Sequence, residues 1–449
     1  MRGEILVVTG PGHGHLYPCM QLCNRLTKRN FHITLVTSST LSPAIPSSFT
    51  QNPLTSIAPI APSGQQSAQD LRLYLTSRCN ISDSPPPLCA IIDFQMGWTK
   101  HVFWKFDIPV IGLFTFGACA AAMEWGAWKV QAEELMPGEA RLVPGLPQEM
   151  AITCSDLKRK IFVPPGDGGL GRGPPMPGDR PPWVPEIEGS IGLMFNTCDD
   201  LDGQFIKYME DQIGLPAWGV GPLLPEMYWQ PSDSLIHDQE IREPKRQSNL
   251  TEGEVIQWLE TKPRGSVLYV AFGSEVGPTM EEYQQLANGL GDSTRPFICV
   301  IQPGKGSCGL DKKVGDRGLV IYGWAPQLLI LSHASTGGFL SHCGWNSTME
   351  AIGLGVPILA WPIRGDQFYN AKLVVNYLKL GYMVSDDLSE TVKEDDIVKG
   401  IEMLMGDEEM HNRAILIKAK LRDDGFPASS EAGLDAFRGF ILNQKAIIY

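Results

Sequence analysis

The sequence predicts an α/β protein built from two Rossmann-like domains that face each other across a cleft. Three observations carry this expectation. A βαβ pattern opens the chain, with Gly10, Gly12 and Gly14 in its first turn. A second series of short apolar runs and helical spacings starts at Val267. Between them, Ser232 to Asn249 is polar and charged and reads as a linker. At 449 residues the chain is long enough for two or three separate cores. The expected boundaries are 1–232 for the first domain, 233–250 for the linker and 251–428 for the second domain. Residues 429–449 are expected to form a final helix.

The elements follow in order. Glu4 to Thr9 reads as a buried strand, and Leu16 to Lys28 continues with Leu16, Met20, Cys23 and Leu26 at helical spacing. Phe31 to Thr37 is the second strand. Leu41 to Pro87 is rich in Ser, Pro and Gln, with one helix expected around Gln69 to Thr76. Leu88 to Ile92 is a strand with Asp93 at its end. A helix from Thr99 to Phe106 and a strand from Val110 to Phe114 follow, with Thr115 just beyond. His15, Asp93 and Thr115 therefore share the carboxyl edge of one parallel sheet, where open α/β sheets bind ligands. Pro164 to Pro185 reads as a loop and Ile191 to Asn196 as a strand. Strands are expected at Val267 to Phe272, Phe297 to Ile301, Leu319 to Tyr322, Gly337 to Ser341 and Val356 to Trp361. Lys393 to Met405, His411 to Lys420 and Ser429 to Asn443 are expected to be helical.

Composition narrows the function classes. The chain is 43% apolar and 19% charged, with a net charge of -13 and no basic block, which disfavours nucleic acid and anionic membranes as partners. The ten cysteines are scattered, with no CxxC pair and no zinc-type Cys/His spacing, which suits reduced thiols in the cytosol. The opening MRGEILVVTGPGHGH fits a first strand better than a secretory signal. The most apolar longer window, Pro109 to Met123, contains Pro and Gly and ends at Glu124, so it reads as a strand and a buried helix, not a membrane span. Asn80-Ile81-Ser82 and Asn249-Leu250-Thr251 are glycosylation sequons without meaning in a chain that is not secreted.

Chemistry concentrates between Trp324 and Gln367, WAPQLLILSHASTGGFLSHCGWNSTMEAIGLGVPILAWPIRGDQ. A strand ends at Ser341, HCGW makes a tight turn, and Ser347-x-x-Glu350 has the form of a capping box opening a helix. Gly353 and Gly355 punctuate that helix's end. Amides and the dipole at a helix start suit a phosphate. His342, Asn346 and Ser347 can donate to phosphate oxygens, Asp366 and Gln367 can bond hydroxyls, and Trp324 can stack on a flat ring. This is an inventory for a nucleotide joined to a sugar.

WAPQ, HCGWNS and DQ at this spacing also resemble the donor-binding box of the plant secondary-product glycosyltransferases, the family 1 enzymes that use UDP-sugars. The resemblance implies the GT-B fold, with the last helix returning to the N-terminal domain. It implies that Trp324 stacks on uracil and that Ala325 offers backbone bonds to the base. Gln327 and Glu350 resemble the ribose ligands, though for Glu350 the capping box is a competing explanation. His342, Asn346 and Ser347 resemble the diphosphate ligands, with Ser274 from an earlier turn. Trp345, Asp366 and Gln367 resemble the sugar-binding set. Gly14-His15 matches the position of the family's general base, Asp93 that of its partner acid, and Thr115 a residue that contacts the sugar. The base is needed because a phenol of pKa about 10 stays protonated at neutral pH until a group of pKa about 6.5 removes its proton. A structural loop histidine, or a metal pair with His13, is the plainer alternative for His15. Capping or packing is the plainer alternative for Asp93 and Thr115.

The implied reaction is inverting transfer of a sugar, glucose first, from UDP-sugar to a hydroxyl of a small lipophilic acceptor such as a flavonoid or other phenolic. No metal or other cofactor is called for, and a cytoplasmic monomer is expected. Phe94, Trp98, Phe116, Cys119 and Trp125 are candidates to line the acceptor pocket, with core packing as their ordinary fate. Ile363, Arg364 and Gly365 stand where the family often carries a bulky aromatic or a Glu-Tyr-like pair, which leaves the sugar open. Attack by carbon, extension of an existing glycoside and silent UDP-sugar binding are the alternatives. Nicotinamide binding is disfavoured because His15 stands where the third glycine of the fingerprint belongs. A serine hydrolase would need a G-x-S-x-G elbow, which is missing. Asp200-Leu201-Asp202 matches the metal-binding DxD pattern but sits where a helix should begin, so helix-start charge is the better reading.

Overall fold

The computed structural model describes residues 3–79, 86–136, 138–160, 176–230, 235–237, 248–274, 276–302, 310, 315–422 and 424–448. The chain divides into two compact units. One comprises Met1–Ala118, Arg180–Glu226 and Phe426–Tyr449, and the other Cys119–Asp179 and Met227–Gly425.

The first unit is a seven-stranded sheet in the order Thr55–Ile60, His32–Ser38, Glu4–Val8, Cys89–Asp93, Val110–Phe114, Leu193–Phe195, Ala217–Gly219. Every neighbouring pair runs parallel. Alternate residues of each strand face opposite sides of a sheet. Accordingly Ile5, Val7, Ile33, Leu35, Ile91 and Leu113 pack into one core, and Leu6, Val8, Val36, Ala90, Ile92 and Val110 into another. Chain order reverses between Glu4–Val8 and Cys89–Asp93, which places a topological switch point beside the turn leading to His15. The strand Thr55–Ile60 was not among the sequence expectations. Pro59 weakens its signal, and the strand tolerates Pro because it lies at the sheet edge. The helix expected from Thr99 to Phe106 is instead three short pieces, Phe94–Thr99, Lys100–Phe103 and Trp104–Phe106, ending at Asp107 with φ 55°.

The final helix, Ala428–Ile448, belongs to this first unit. Leu434, Phe437 and Ile441 sink into its core, and Phe437 meets Trp218 at 5.6 Å between ring centroids. Arg29 meets Glu431 at 2.6 Å and Asp435 at 2.8 Å.

The second unit carries a six-stranded parallel sheet in the order Gly318–Tyr322, Phe297–Ile301, Val267–Ala271, Thr336–Ser341, Ile358–Ala360, Gly381–Met383. Its switch point lies between Val267–Ala271 and Thr336–Ser341, so the turn at Gly273 and the HCGW turn share one edge. Residues 119–179 fall in this unit, whereas the sequence assigns them to the first. Side-chain contacts that no periodicity reports hold them there. The Lys372 amine meets Ala151 O at 2.7 Å and Asp156 Oδ2 at 2.6 Å, and Lys160 meets Glu282 at 2.6 Å. The Arg159 guanidinium lies 4.5 Å over the Phe368 ring. Much of the expected linker and of the loop 164–185 lies outside the described residues. Among the described residues, no helix is long and apolar enough to cross a membrane.

Candidate functional site

Two constellations stand at the two switch points. In the first unit the chain leaves Glu4–Val8, turns at Gly12 with φ 90°, and enters the helix His13–Thr27 without a side-chain cap. His15 thus sits in the first helical turn. Its Nδ1 lies 2.6 Å from Asp93 Oδ2 and 2.9 Å from Thr115 Oγ1. A carboxylate only accepts, so a contact this short requires the hydrogen on Nδ1. The neutral imidazole is therefore the Nδ1–H tautomer, and its Nε2 lone pair is the basic site. Asp93 is fully buried, its other oxygen accepts from Gln95 N at 3.0 Å, and His15 keeps 19% of its side chain exposed. The three residues that strand-end reasoning assigned to one edge thus meet. His13 lies against Tyr17, with ring centroids 5.7 Å apart.

Sequence reading missed two supports of this cluster. A Cβ on Gly10 would fall 2.9 Å from Asp93 Oδ2 and 3.0 Å from His15 Nδ1, so only glycine permits the pair to close. Burial first, and then the Asp93 charge, push the Cys19 thiol up, so it stays protonated beside the pair.

In the second unit the strand Thr336–Ser341 runs into Cys343, at φ 59°, and Gly344, which precedes the helix Trp345–Leu354. The expected capping box is absent. Gly344 is the N-cap, so Ser347 lies inside the first turn and Glu350 in the helix interior, and no side chain caps the start. The left-handed Cys343 turn brings the helix in three residues early and displaces the S-x-x-E register. Glu350 is fully buried and accepts from Gln327 Nε2 at 2.6 Å. The same Gln327 amide nitrogen donates to Ser347 Oγ at 2.9 Å, and Tyr269 donates its hydroxyl to Gln327 Oε1 at 3.3 Å. Gly355 ends the helix at φ 74° as expected. Gly353 lies within the helix, where a Cβ would collide with the Tyr228 hydroxyl that donates to Met349 O and Glu350 O.

His342 is buried on this edge, and Gly273 and Gly344 make its room: a Cβ on either would lie 2.7 or 2.4 Å from its Nε2. Burial, helped by the Arg364 charge, pulls its pKa down to about 4, so at neutral pH it is an uncharged imidazole. Its Nδ1 is buried without a hydrogen-bond partner among the described residues. Ser274 is exposed in the turn after Val267–Ala271. Trp324 and Ala325 are half-buried between the strand Gly318–Tyr322 and the helix Gln327–Ser332. Trp345 is buried and Asn346 half-buried in the first turn of the box helix.

At the end of the box, Gln367 Oε1 accepts from Ile363 N and Arg364 N, both at 3.0 Å, which pins the loop carrying Arg364. Asp366 accepts from Asn370 at 2.7 Å, and Asn370 also donates to Cys343 O at 3.0 Å. Asn370 therefore ties the DQ helix to the HCGW turn, a role missed in the sequence although it stands one helical turn after Asp366.

Of the acceptor-pocket candidates, Phe94 and Phe116 meet at 5.5 Å around Phe114, and Trp98 is half-buried in the same unit. Cys119 and Trp125 belong to the second unit. Cys119 is fully buried with its thiol on Tyr369 O at 3.9 Å, so it packs and does not line open space. Trp125 packs edge-on against Trp128 at 5.2 Å. Asp200 and Asp202 fall in the first turn of the helix Asp199–Ile213, as helix-start charges do.

Known proteins agree with this architecture. The family described as UDP-glucoronosyl and UDP-glucosyl transferase matches residues 246–424. UDP-glycosyltransferase 73C6 of Arabidopsis thaliana is 30% identical over 457 residues, covering 88% of this chain and 86% of its own. The Glycyrrhiza uralensis UGT73P12 structure, complexed with glycyrrhetinic acid 3-O-monoglucuronide, superposes with a TM-score of 0.77 at 25% identity, covering 99% of this chain and 97% of its own. Phytolacca americana UGT2, complexed with UDP-2fluoro-glucose and pterostilbene, superposes with a TM-score of 0.73 at 23% identity, covering 98% and 99%. The fold is GT-B. Likeness along most of the chain, together with the WAPQ to DQ box on its own switch-point edge, makes this protein a member of the plant family 1 UDP-glycosyltransferases, enzymes that transfer a glycosyl group from a UDP-sugar to an acceptor.

Proposed function

We propose that the protein transfers glucose from UDP-glucose to a hydroxyl of a small lipophilic acceptor, a flavonoid or related phenolic first, with inversion at the anomeric carbon. The observation that carries this reading is the His15 imidazole, held through Nδ1 by the buried Asp93 at 2.6 Å. With its hydrogen on Nδ1, His15 takes the acceptor proton at Nε2 as the acceptor oxygen bonds to the anomeric carbon. The bond from that carbon to the diphosphate oxygen breaks, and the electron pair leaves with UDP. Asp93 stabilises the imidazolium so formed, as in a hydrolase triad. His342, Asn346, Ser347 and the box-helix amides take the charge that develops on the leaving diphosphate, with Ser274 alongside. Trp324 and Ala325 hold the uracil, Gln327 and Glu350 the ribose, and Trp345, Asp366, Gln367 and Thr115 the sugar. Phe94, Trp98 and Phe116 offer apolar surface to the acceptor.

The reaction so written uses protein donors alone, without a metal or other cofactor. Glycyrrhetinic acid 3-O-monoglucuronide and pterostilbene, bound by the two structural neighbours, support a lipophilic acceptor, and UDP-2fluoro-glucose supports a glucose donor. Free cysteines, most of them buried, suit a reducing, cytoplasmic setting, and we propose a monomer there.

Mass spectrometry of the purified protein, with UDP-sugars set against phenolics, terpenoids and their glycosides, identifies donor and acceptor. His15→Ala should lower O-transfer by about 100-fold or more while UDP affinity stays within about twofold. Retained turnover in that variant rejects His15 as the base. Binding of UDP-glucose with no turnover on any acceptor points to a silent sensor.

A further inference from the structure

Resting on the reading of His15 as base, we propose that Asn196 is a positioning residue for the reaction, holding Thr115 and, through it, the imidazole. Asn196 is the first residue after the strand Leu193–Phe195 and is 1% exposed. Pairing with the neighbouring strand stops at Phe114 opposite Phe195. Asn196 continues it by two further bonds. Its backbone N–H donates to Phe114 O at 3.0 Å, and its side-chain Nδ2 donates to Thr115 O at 3.0 Å. The side chain thus supplies a rung where the ladder has run out, and Thr115 is the residue it catches. Thr115 then places its hydroxyl 2.9 Å from His15 Nδ1.

The other end of the amide is equally committed. Asn196 Oδ1 accepts from Leu223 N at 2.6 Å, and a Cβ on Gly221 would lie 2.4 Å from that oxygen. A donor and an acceptor are needed at once, in one planar group, with no slack. Asp has the shape but only accepts, so it would set a carboxylate against Thr115 O. Ala would leave a buried carbonyl and a buried N–H without this partner. The consequence reaches the base because Nδ1 faces two oxygens, one from Asp93 and one from Thr115. Losing the second weakens the hold on Nδ1, and the direction of the Nε2 lone pair is less well set. Asp93 meets the imidazole, the protonated Cys19 thiol feels the Asp93 charge, and His13 and Tyr17 stand two residues to either side of His15 on its helix.

The test uses the full chain as wild type, His15→Ala, Asn196→Asp, Asn196→Ser, Thr115→Val and the Asn196→Ser/Thr115→Val double variant. Measured are kcat and KM against pH, UDP affinity, thermal midpoint, and the His15 imidazole resonances followed by NMR through a titration. Asn196→Ser should lower kcat about tenfold at nearly unchanged KM for the UDP-sugar, and move the acid limb of kcat/KM together with the His15 titration. In the double variant the Asn196 substitution should add little beyond Thr115→Val. Asn196→Asp should lower kcat at least as far, and Asn196→Ser stands in for it if that chain does not fold. The proposal is overturned if the Asn196 variants lower only the thermal midpoint while the His15 titration and pH profile stay put, or if the two effects on the profile simply add. Turnover retained by His15→Ala overturns the base reading itself, whereas loss of turnover there with unmoved His15 resonances in the Asn196 variants overturns this proposal alone.

Discussion

His342 shows how a single burial sets a charge state. A histidine in water titrates near 6.5, and in the folded chain His342 titrates at about 4 because burial, with Arg364 nearby, opposes its charge. Between those values the unfolded chain binds more protons than the folded one, so stability rises with pH. The contribution is fully present above pH 6.5 and is lost as pH falls toward 4, a span on the order of 3 kcal/mol. His342→Asn should flatten that part of the acid-side loss, read as the difference in urea unfolding free energy between neutral and acidic buffer. An unchanged slope would mean that His342 is not held neutral by the fold. The neutral state also matters to the proposed chemistry, since a neutral imidazole offers one N–H to a phosphate oxygen. The place of His342 at the end of a strand was legible in the sequence. Its neutrality was not, because the room for it depends on Gly273 and its charge state on Arg364, both distant from His342 in sequence.

The box helix makes the same point one level up. Its existence was readable from the apolar spacing and from Gly355, but its start was misread. S-x-x-E reads as a capping box wherever it precedes an apolar run, and here it lies inside the helix because Cys343 and Gly344 turn the chain earlier. The two registers differ in what Ser347 does. As an N-cap, its loss would cost about 1 kcal/mol of stability. In the observed register Ser347→Ala removes no cap, so thermal and urea stability should change by less than about 0.5 kcal/mol, while UDP affinity should fall roughly five- to tenfold if Ser347 is the phosphate donor proposed above. Calorimetric titration with UDP and an unfolding curve on the same sample decide between the two. Glu350 follows from the same shift. Freed from capping, it is buried and fastened to Gln327, which holds both proposed ribose ligands in one hydrogen-bonded group.

Across the whole molecule the chain passes between its two compact units at Ala118, Asp179, Glu226 and Gly425. The final helix is therefore a structural part of the first unit although it is last in sequence. Phe437 is fully buried against Trp218 in that core. Phe437→Ala should cost about 3–5 kcal/mol in the unfolding free energy of the first unit. Trp218 fluorescence during denaturant unfolding reports it, and a change below 1 kcal/mol would show that the helix is not part of this core. The segment 119–179 illustrates the converse. It carries none of the second sheet's strands, yet Lys372, buried against Asp156 and Ala151 O, secures it to the helix that follows Asp366.

Local pattern by itself determined most strands of both sheets, the existence of the helices that follow the first strand and the HCGW turn though not where they start, and the grouping of His15, Asp93 and Thr115 on one edge. Each depends on residues near in sequence, through side-chain alternation, helical spacing and the rule that a parallel sheet presents one carboxyl edge. Tertiary structure alone decided the tautomer of His15, the depressed pKa of His342, the partner of Glu350 and the unit to which residues 119–179 belong. Those depend on burial and on atoms brought together from distant positions, such as Gly10 beside Asp93 and Asn196 beside Thr115, and no spacing along the chain encodes such distances.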